Sequence, residues 1–372
     1  MKRRVRMSDD LHGDRGMMEC AKRVLTLGAG RELIEGDFVM IRMESGSSAL
    51  YLLRMIGLLG EFPISFLDQL EGYYDYNRRR ITELVREGYL RDWKFMYSRR
   101  AIHSLSLTRK GLDAVKEHDP KRYALMKQHL FAPENAKGDR NKAIRLHRNA
   151  ACFLMGVSVA DKLAVDCTPP SDPGEIFYYS TYMMNKRLDT DSKGSRASGI
   201  VIGGGRFFAL YYLGRSNMRW NPEIESSFIS RITDVMPGHC CGGQIFIAED
   251  WSLAENIISH ANNRYTSLIR FDDRVPSYLV TTDDYGKELF RAIVDVDAEI
   301  SLFRKCEQYG LTDSGQRYYP LFALDSWAQL YAKGPWFTTK AIFCFDFQKP
   351  VVDRINRQNE PIHVLPGSLL IE

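Results

Sequence analysis

The chain has 372 residues, 44% of them hydrophobic and 26% charged, a length that favours two domains and a composition that excludes disordered and fibrous classes. Its 51 basic and 47 acidic residues leave a net charge of +4, too near balance to name a partner until it is resolved by region. Seven cysteines without a C-x-x-C pair fit a reducing compartment. The basic start, Met1 to Met7, is followed by polar residues rather than an apolar run, so no secretion signal is expected. The longest apolar stretch, 149–165, is interrupted by Asp161 and Lys162 and is too short to span a bilayer. A cytoplasmic protein with no membrane partner is therefore expected.

Residues 1–45 mix charge with glycine and read as an N-terminal arm. Leu27-Gly28-Ala29-Gly30 lacks the third glycine and the preceding strand of a dinucleotide fingerprint. From Ser48, the residues Leu50, Leu52, Leu53, Ile56, Leu58 and Leu59 form a helical stripe that Gly60 ends. Phe62-Pro63 opens a short second helix through Ile64, Phe66, Leu67 and Leu70. Asp75 is the expected N-cap of a third helix that closes at Gly88. The runs 89–95 and 101–107 read as an antiparallel hairpin with Tyr97 to Arg100 between them. Thr108 then caps a helix that stops at Asp119-Pro120. This order, over 46–130, is that of a winged helix-turn-helix.

A polar linker is expected over 131–143, with a domain boundary near Gly138. Beyond it, helices (147–164, 222–235, 252–262, 284–294) alternate with strands (175–180, 199–202, 206–212, 244–248, 277–281), predicting an α/β domain with a mixed sheet over 144–299. The tail 300–372 adds strands at 318–323 and 341–347 and helices at 325–332 and 349–357. The overall fold class is α+β.

The third helix turns Ile81, Leu84 and Val85 inward and Tyr76, Arg79, Thr82, Glu83 and Arg86 outward. From Arg78 to Lys110 there are ten basic residues and three acidic ones, a local charge of +7. In a winged helix the third helix enters the major groove and the wing meets phosphate. The expected duplex-DNA contacts are Tyr76, Asn77, Arg78, Arg79, Arg80, Thr82 and Arg86 on the helix, and Lys94, Arg99 and Arg100 on the wing. A plain solvated face, or a winged helix that binds protein, would also account for the charge.

The series Leu50-Leu52-Leu53-x-x-Ile56, Asn77-Arg78-Arg79-Arg80-Ile81-x-x-Leu84-Val85-x-x-Gly88-Tyr89-Leu90 and Leu107-Thr108-x-x-Gly111 resembles the replication-relaxation family of plasmids and conjugative elements. The resemblance spans roughly 48–295. It implies a winged helix followed by a restriction-endonuclease-like domain opening near Leu146-His147, and a role in replication or conjugative transfer beside a relaxase or replication initiator. A nuclease of that kind needs an Asp at one strand start and an acidic-basic pair on the next strand, to hold Mg²⁺. Here Ser198, Leu210 and Tyr212 stand at those positions, so no catalytic residue, metal or cofactor is expected. The domain would then serve dimerisation, DNA clamping or partner contact. Two alternatives stay open: a transcriptional regulator with a ligand or dimerisation domain, and a nuclease with acids relocated to Glu223 and Glu225. Gly203-Gly204-Gly205 reads as a tight turn rather than a phosphate loop, His239-Cys240-Cys241 as thiols rather than metal ligands, and His147 as a core histidine rather than a general base.

Overall fold

Ser47 starts the described fold by accepting a hydrogen bond from the Leu50 amide at 3.3 Å, which caps helix α1 (Ser48–Leu59). The computed structural model describes residues 43–307 apart from 45, 133, 164–173, 189–193, 216–217 and 262–274, together with 318–319, 341–356, 359 and 361–371. The expected arm, apart from residues 43 and 44, and the helix expected at 325–332 lie outside the described residues. The chain divides into two compact units, one up to Ala150 and one from Ala151.

In the first unit, Leu50, Leu52, Leu53, Ile56, Leu58 and Leu59 of α1 are all buried, and Gly60 ends the helix at φ 72°, a backbone that glycine adopts without steric cost. The expected second helix is different. Phe62–Pro63 is a two-residue strand, β1, and Ile64–Gln69 is a 3₁₀ helix. Phe62 and Pro63 pair with Leu105 and Ser104, so sheet pairing takes the residues that periodicity assigns to a first helical turn. Helix α2 (Tyr74–Arg86) begins one residue before Asp75 and has no side-chain cap, which corrects the expected N-cap: Asp75 lies inside the first turn. Strands β2 (Leu90–Tyr97) and β3 (Arg100–Leu107) form the hairpin, giving a three-stranded sheet in the order β1-β3-β2. Thr108 caps α3 (Arg109–His118) through the Gly111 amide, and Asp119 both ends α3 and caps α4 (Pro120–Lys127).

The stretch with linker composition is packed. Leu130, Phe131, Ala132 and Ala136 are buried, and Asp139 caps the 20-residue helix α5 (Arg140–Val159) through the amides of Asn141 and Lys142. That helix starts seven residues before the expected one at 147. The division between units falls inside it, after Ala150, rather than near Gly138.

The second unit is a mixed α/β structure around a six-stranded sheet whose order follows the sequence. Its strands are β4 (Lys162–Leu163), β5 (Phe177–Ser180), β6 (Gly199–Gly203), β7 (Arg206–Gly214), β8 (Cys240–Ala248) and β9 (Ser277–Thr281). β5, β6 and β7 are antiparallel neighbours, whereas β7, β8 and β9 run parallel. Parallel neighbours need long crossovers, and helices α7 (Pro222–Val235) and α8 (Ser252–Ala261) lie in those connections, after α6 (Thr181–Leu188). Gly204 and Gly205, at φ 57° and 69°, form the two-residue turn between β6 and β7, as a hairpin of that length requires. Tyr178 is wedged between α5 and β6: a Cβ on Gly156 would lie 2.1 Å from its ring and one on Gly199 2.7 Å. Helices α9 (Asp284–Val294) and α10 (Val296–Glu307) follow, then a small parallel sheet of β10 (Tyr318–Tyr319), β11 (Ala341–Phe345) and β12 (Ile362–Leu365), with α11 (Lys349–Ile355) and α12 (Ser368–Ile371). Among the described residues no helix is long and apolar enough to cross a membrane.

Candidate nucleic-acid interface

Helix α2 buries Ile81 and Leu84 and exposes Asp75, Arg78, Arg79, Thr82 and Arg86. The amphipathic division expected from the sequence is thus present, with one correction. Asn77 is 2% exposed, and its Nδ2 donates to the Glu71 carbonyl at 3.0 Å. It fastens the turn before α2 and leaves the set of surface contacts, because its amide is already used inside the fold.

Two further members of the expected set are engaged within the protein. The Tyr76 hydroxyl lies 3.0 Å from Ser48 Oγ, and Arg80 donates to Glu83 and to Tyr76 while lying over the Tyr76 ring. These residues form an internally neutralised stripe on the flank of α2. The remaining cations are open: Arg78 and Arg79 form no ion pair among the described residues, and Arg86 reaches only Glu87, at 3.4 Å. Other basic residues counted in the +7 segment are also occupied. Lys110 donates to the Glu87 carbonyl and sits over the Tyr89 ring, and Arg91 lies 3.8 Å from Glu61.

The hairpin presents Lys94, Arg99 and Arg100, all exposed. Tyr97 pairs with Arg100, leaving Ser98 and Arg99 as a two-residue loop at φ 48° and 65°. This is the primed turn that matches strand twist and favours Asn-Gly, whereas residues with a Cβ are strained there by roughly 1–2 kcal/mol each. The double change Ser98→Asn with Arg99→Gly should therefore raise the unfolding free energy by about 1 kcal/mol in urea denaturation. An unchanged midpoint would mean that the loop is not strained as its angles imply.

One face of the hairpin is covered. Trp93 stacks on Phe95 at 4.5 Å, and Phe95 forms a small core with Ala136 and Ala143, joined by Tyr97, Ile102 and Ile144. Beneath it lies Glu61, 0% exposed. Its Oε2 accepts from Trp93 Nε1 at 3.0 Å and from Ser104 Oγ at 2.6 Å, and its Oε1 accepts from the Ala136 amide at 2.8 Å. Because the Ser104 proton goes to Glu61, His147 Nε2, 2.8 Å from Ser104 Oγ, must donate to it. Burial lowers the His147 pKa to about 4, so the ring is neutral at physiological pH.

A glutamate, a serine and a histidine in contact suggest a hydrolytic triad, but the geometry is that of a brace. In a triad the carboxylate orients the imidazole and the serine faces substrate; here the carboxyl grips the serine, which is 0% exposed. The network holds β2, β3, the 130s segment and α5 together. Sequence reading missed it because its members are scattered over nearly ninety positions, and its one local signal is an acidic residue, Glu61, among apolar neighbours.

In the second unit, Ser198 precedes β6 and its amide donates to the Leu210 carbonyl at 2.8 Å. Leu210 is 0% exposed, and the Tyr212 hydroxyl donates to Glu249 at 3.3 Å. Glu223 is exposed, whereas Glu225 is buried. Burial raises the Glu225 pKa, against hydrogen bonds from Ser195, the Arg196 amide and Tyr211 that lower it. Glu225 Oε2 thereby ties α7 to Tyr211 of β7 and to Ser195, while Oε1 holds the Arg196 amide in the segment before β6. Among the described residues no cluster of three His, Cys, Asp or Glu side chains could hold a metal. No family model, no curated protein and no solved structure matches the chain.

Proposed function

We propose that the first unit is a winged helix-turn-helix that binds duplex DNA, with α2 in the major groove and the β2–β3 tip on the backbone. The observation that carries this reading is the segregation of charge on α2. Arg80 and Glu83 neutralise each other on the flank, while Arg78, Arg79 and Arg86 stand with Thr82 on the face turned to solvent. Arginine reads guanine O6 and N7 through two parallel hydrogen bonds, and threonine meets base edges or methyl groups. Replacing Arg79 and Arg86 together by alanine should weaken specific binding by more than about 2 kcal/mol. Fluorescence anisotropy with the full chain checks this, and unchanged affinity in a folded variant would remove α2 as the recognition helix.

The second unit is proposed to be a restriction-endonuclease-like scaffold without catalysis. Supporting this are a mixed sheet in sequence order, an antiparallel meander followed by helix-linked parallel strands, and apolar or hydrogen-bonded groups where a nuclease would hold its metal. Together with the family resemblance, these features support a reading of the protein as a DNA-processing accessory factor of a mobile element. It would work beside a relaxase or initiator, with the second unit mediating self-association or partner contact.

A further inference from the structure

The outward stripe of α2 is not purely basic. Asp75, Arg79, Thr82 and Arg86 recur at four- and three-residue spacing, which places them in one row, and all four are exposed. Over this row α2 rises about 16 Å, or roughly five base-pair steps. Asp75 forms no ion pair among the described residues. The other carboxylate of the helix, Glu83, is neutralised by Arg80 on the flank. An acid in a first turn is favoured by the helix dipole wherever it sits around the axis. On this row, however, it would meet the phosphates of a duplex unneutralised, and it would lower affinity unless the groove offered it a donor.

We infer that Asp75 is a specificity-determining residue that selects a cytosine, within a site whose neighbouring guanines are read by Arg79 and Arg86. The inference rests on the duplex-binding reading of α2 and names its base preference. An ionised aspartate only accepts hydrogen bonds. In the major groove the amino donors are cytosine N4 and adenine N6. Adenine sets the N7 lone pair beside its amino group, which suits an amide and repels a carboxylate. Guanine and thymine present acceptors at the matching positions. Cytosine offers a donor with no adjacent acceptor, and is the base an aspartate discriminates best.

The test is selection from a randomised duplex pool with the full chain and its Asp75→Ala and Asp75→Asn forms, followed by affinity measurements on the selected site. The wild type should select a cytosine at one position near guanines. Asp75→Ala should lose that preference by about tenfold, and Asp75→Asn should shift it toward adenine. N4-methylcytosine, whose methyl replaces the groove-facing hydrogen, should weaken the wild type by a similar factor and leave Asp75→Ala unaffected. If wild type and Asp75→Ala select the same sequence with equal stringency, the role of Asp75 is overturned while duplex binding stands. If the wild type binds no duplex, the reading beneath it falls as well.

Discussion

Between 50 and 200 mM salt, the affinity of the full chain for duplex DNA is expected to fall by roughly three decades. The size follows from which cations the fold leaves available. Arg80, Arg91 and Lys110 are held by Glu83, Glu61 and the Glu87 carbonyl, and Arg79 and Arg86 are assigned to bases. Arg78, Lys94, Arg99, Arg100 and Arg109 remain exposed. About five phosphates neutralised at roughly 0.9 counterion each give a logarithmic slope near −4.5. Arg99→Ala with Arg100→Ala should make that slope shallower by about two and weaken all sequences alike, because phosphate contacts carry no base information. A salt titration with two unrelated duplexes reads both quantities. A wild-type slope shallower than about −2, or a wing variant that weakens one sequence selectively, would contradict the assignment.

Replacing Glu61 by alanine should cost the first unit about 3–5 kcal/mol, a large share of the roughly 5–15 kcal/mol that ordinarily holds a domain folded. The carboxyl accepts three hydrogen bonds in a place water does not reach. Its loss strands the Trp93 indole, the Ser104 hydroxyl and the Ala136 amide at once, and a buried donor without an acceptor costs roughly 1–3 kcal/mol. Glu61→Gln keeps one acceptor and should cost less. Urea unfolding followed by tryptophan fluorescence would show the order. An alanine variant as stable as wild type would mean that the network contributes nothing.

His147 gives the same brace a pH dependence. Its folded pKa of about 4 lies below the ordinary 6.5. As pH falls through that interval the unfolded chain takes up the proton before the folded one does. The stabilisation is therefore complete above about pH 6.5 and is lost toward pH 4, with a magnitude on the order of 3 kcal/mol. His147→Gln should flatten this limb of the stability profile; an identical limb in the variant would assign it to other groups.

Much of the fold was legible because hydrophobic periodicity and capping are local. The helix over Pro222–Val235 and the strand over Ser277–Thr281 fall where their patterns place them. Gly60, Thr108 and Gly204-Gly205 terminate or turn the chain for conformational reasons that need no distant partner. Where long-range pairing competes with local preference, the sequence misleads. Phe62-Pro63 joins a strand across some forty residues, Asp139 caps a helix inside a stretch of linker composition, and Asn77, polar and followed by three arginines, turns inward to hold Glu71.

For the candidate site the division is similar. Sequence by itself determined that basic residues gather from Arg78 to Lys110 and that α2 has an apolar face and a charged one, since both follow from composition and a fixed 3.6-residue period. Only the tertiary structure decided which of those cations are already paired, that Asp75 shares the open row, and that a buried glutamate locks the hairpin to α5. Hydrogen bonds and ion pairs depend on distances of a few ångströms between residues far apart in the chain, and those distances exist only once the core has closed.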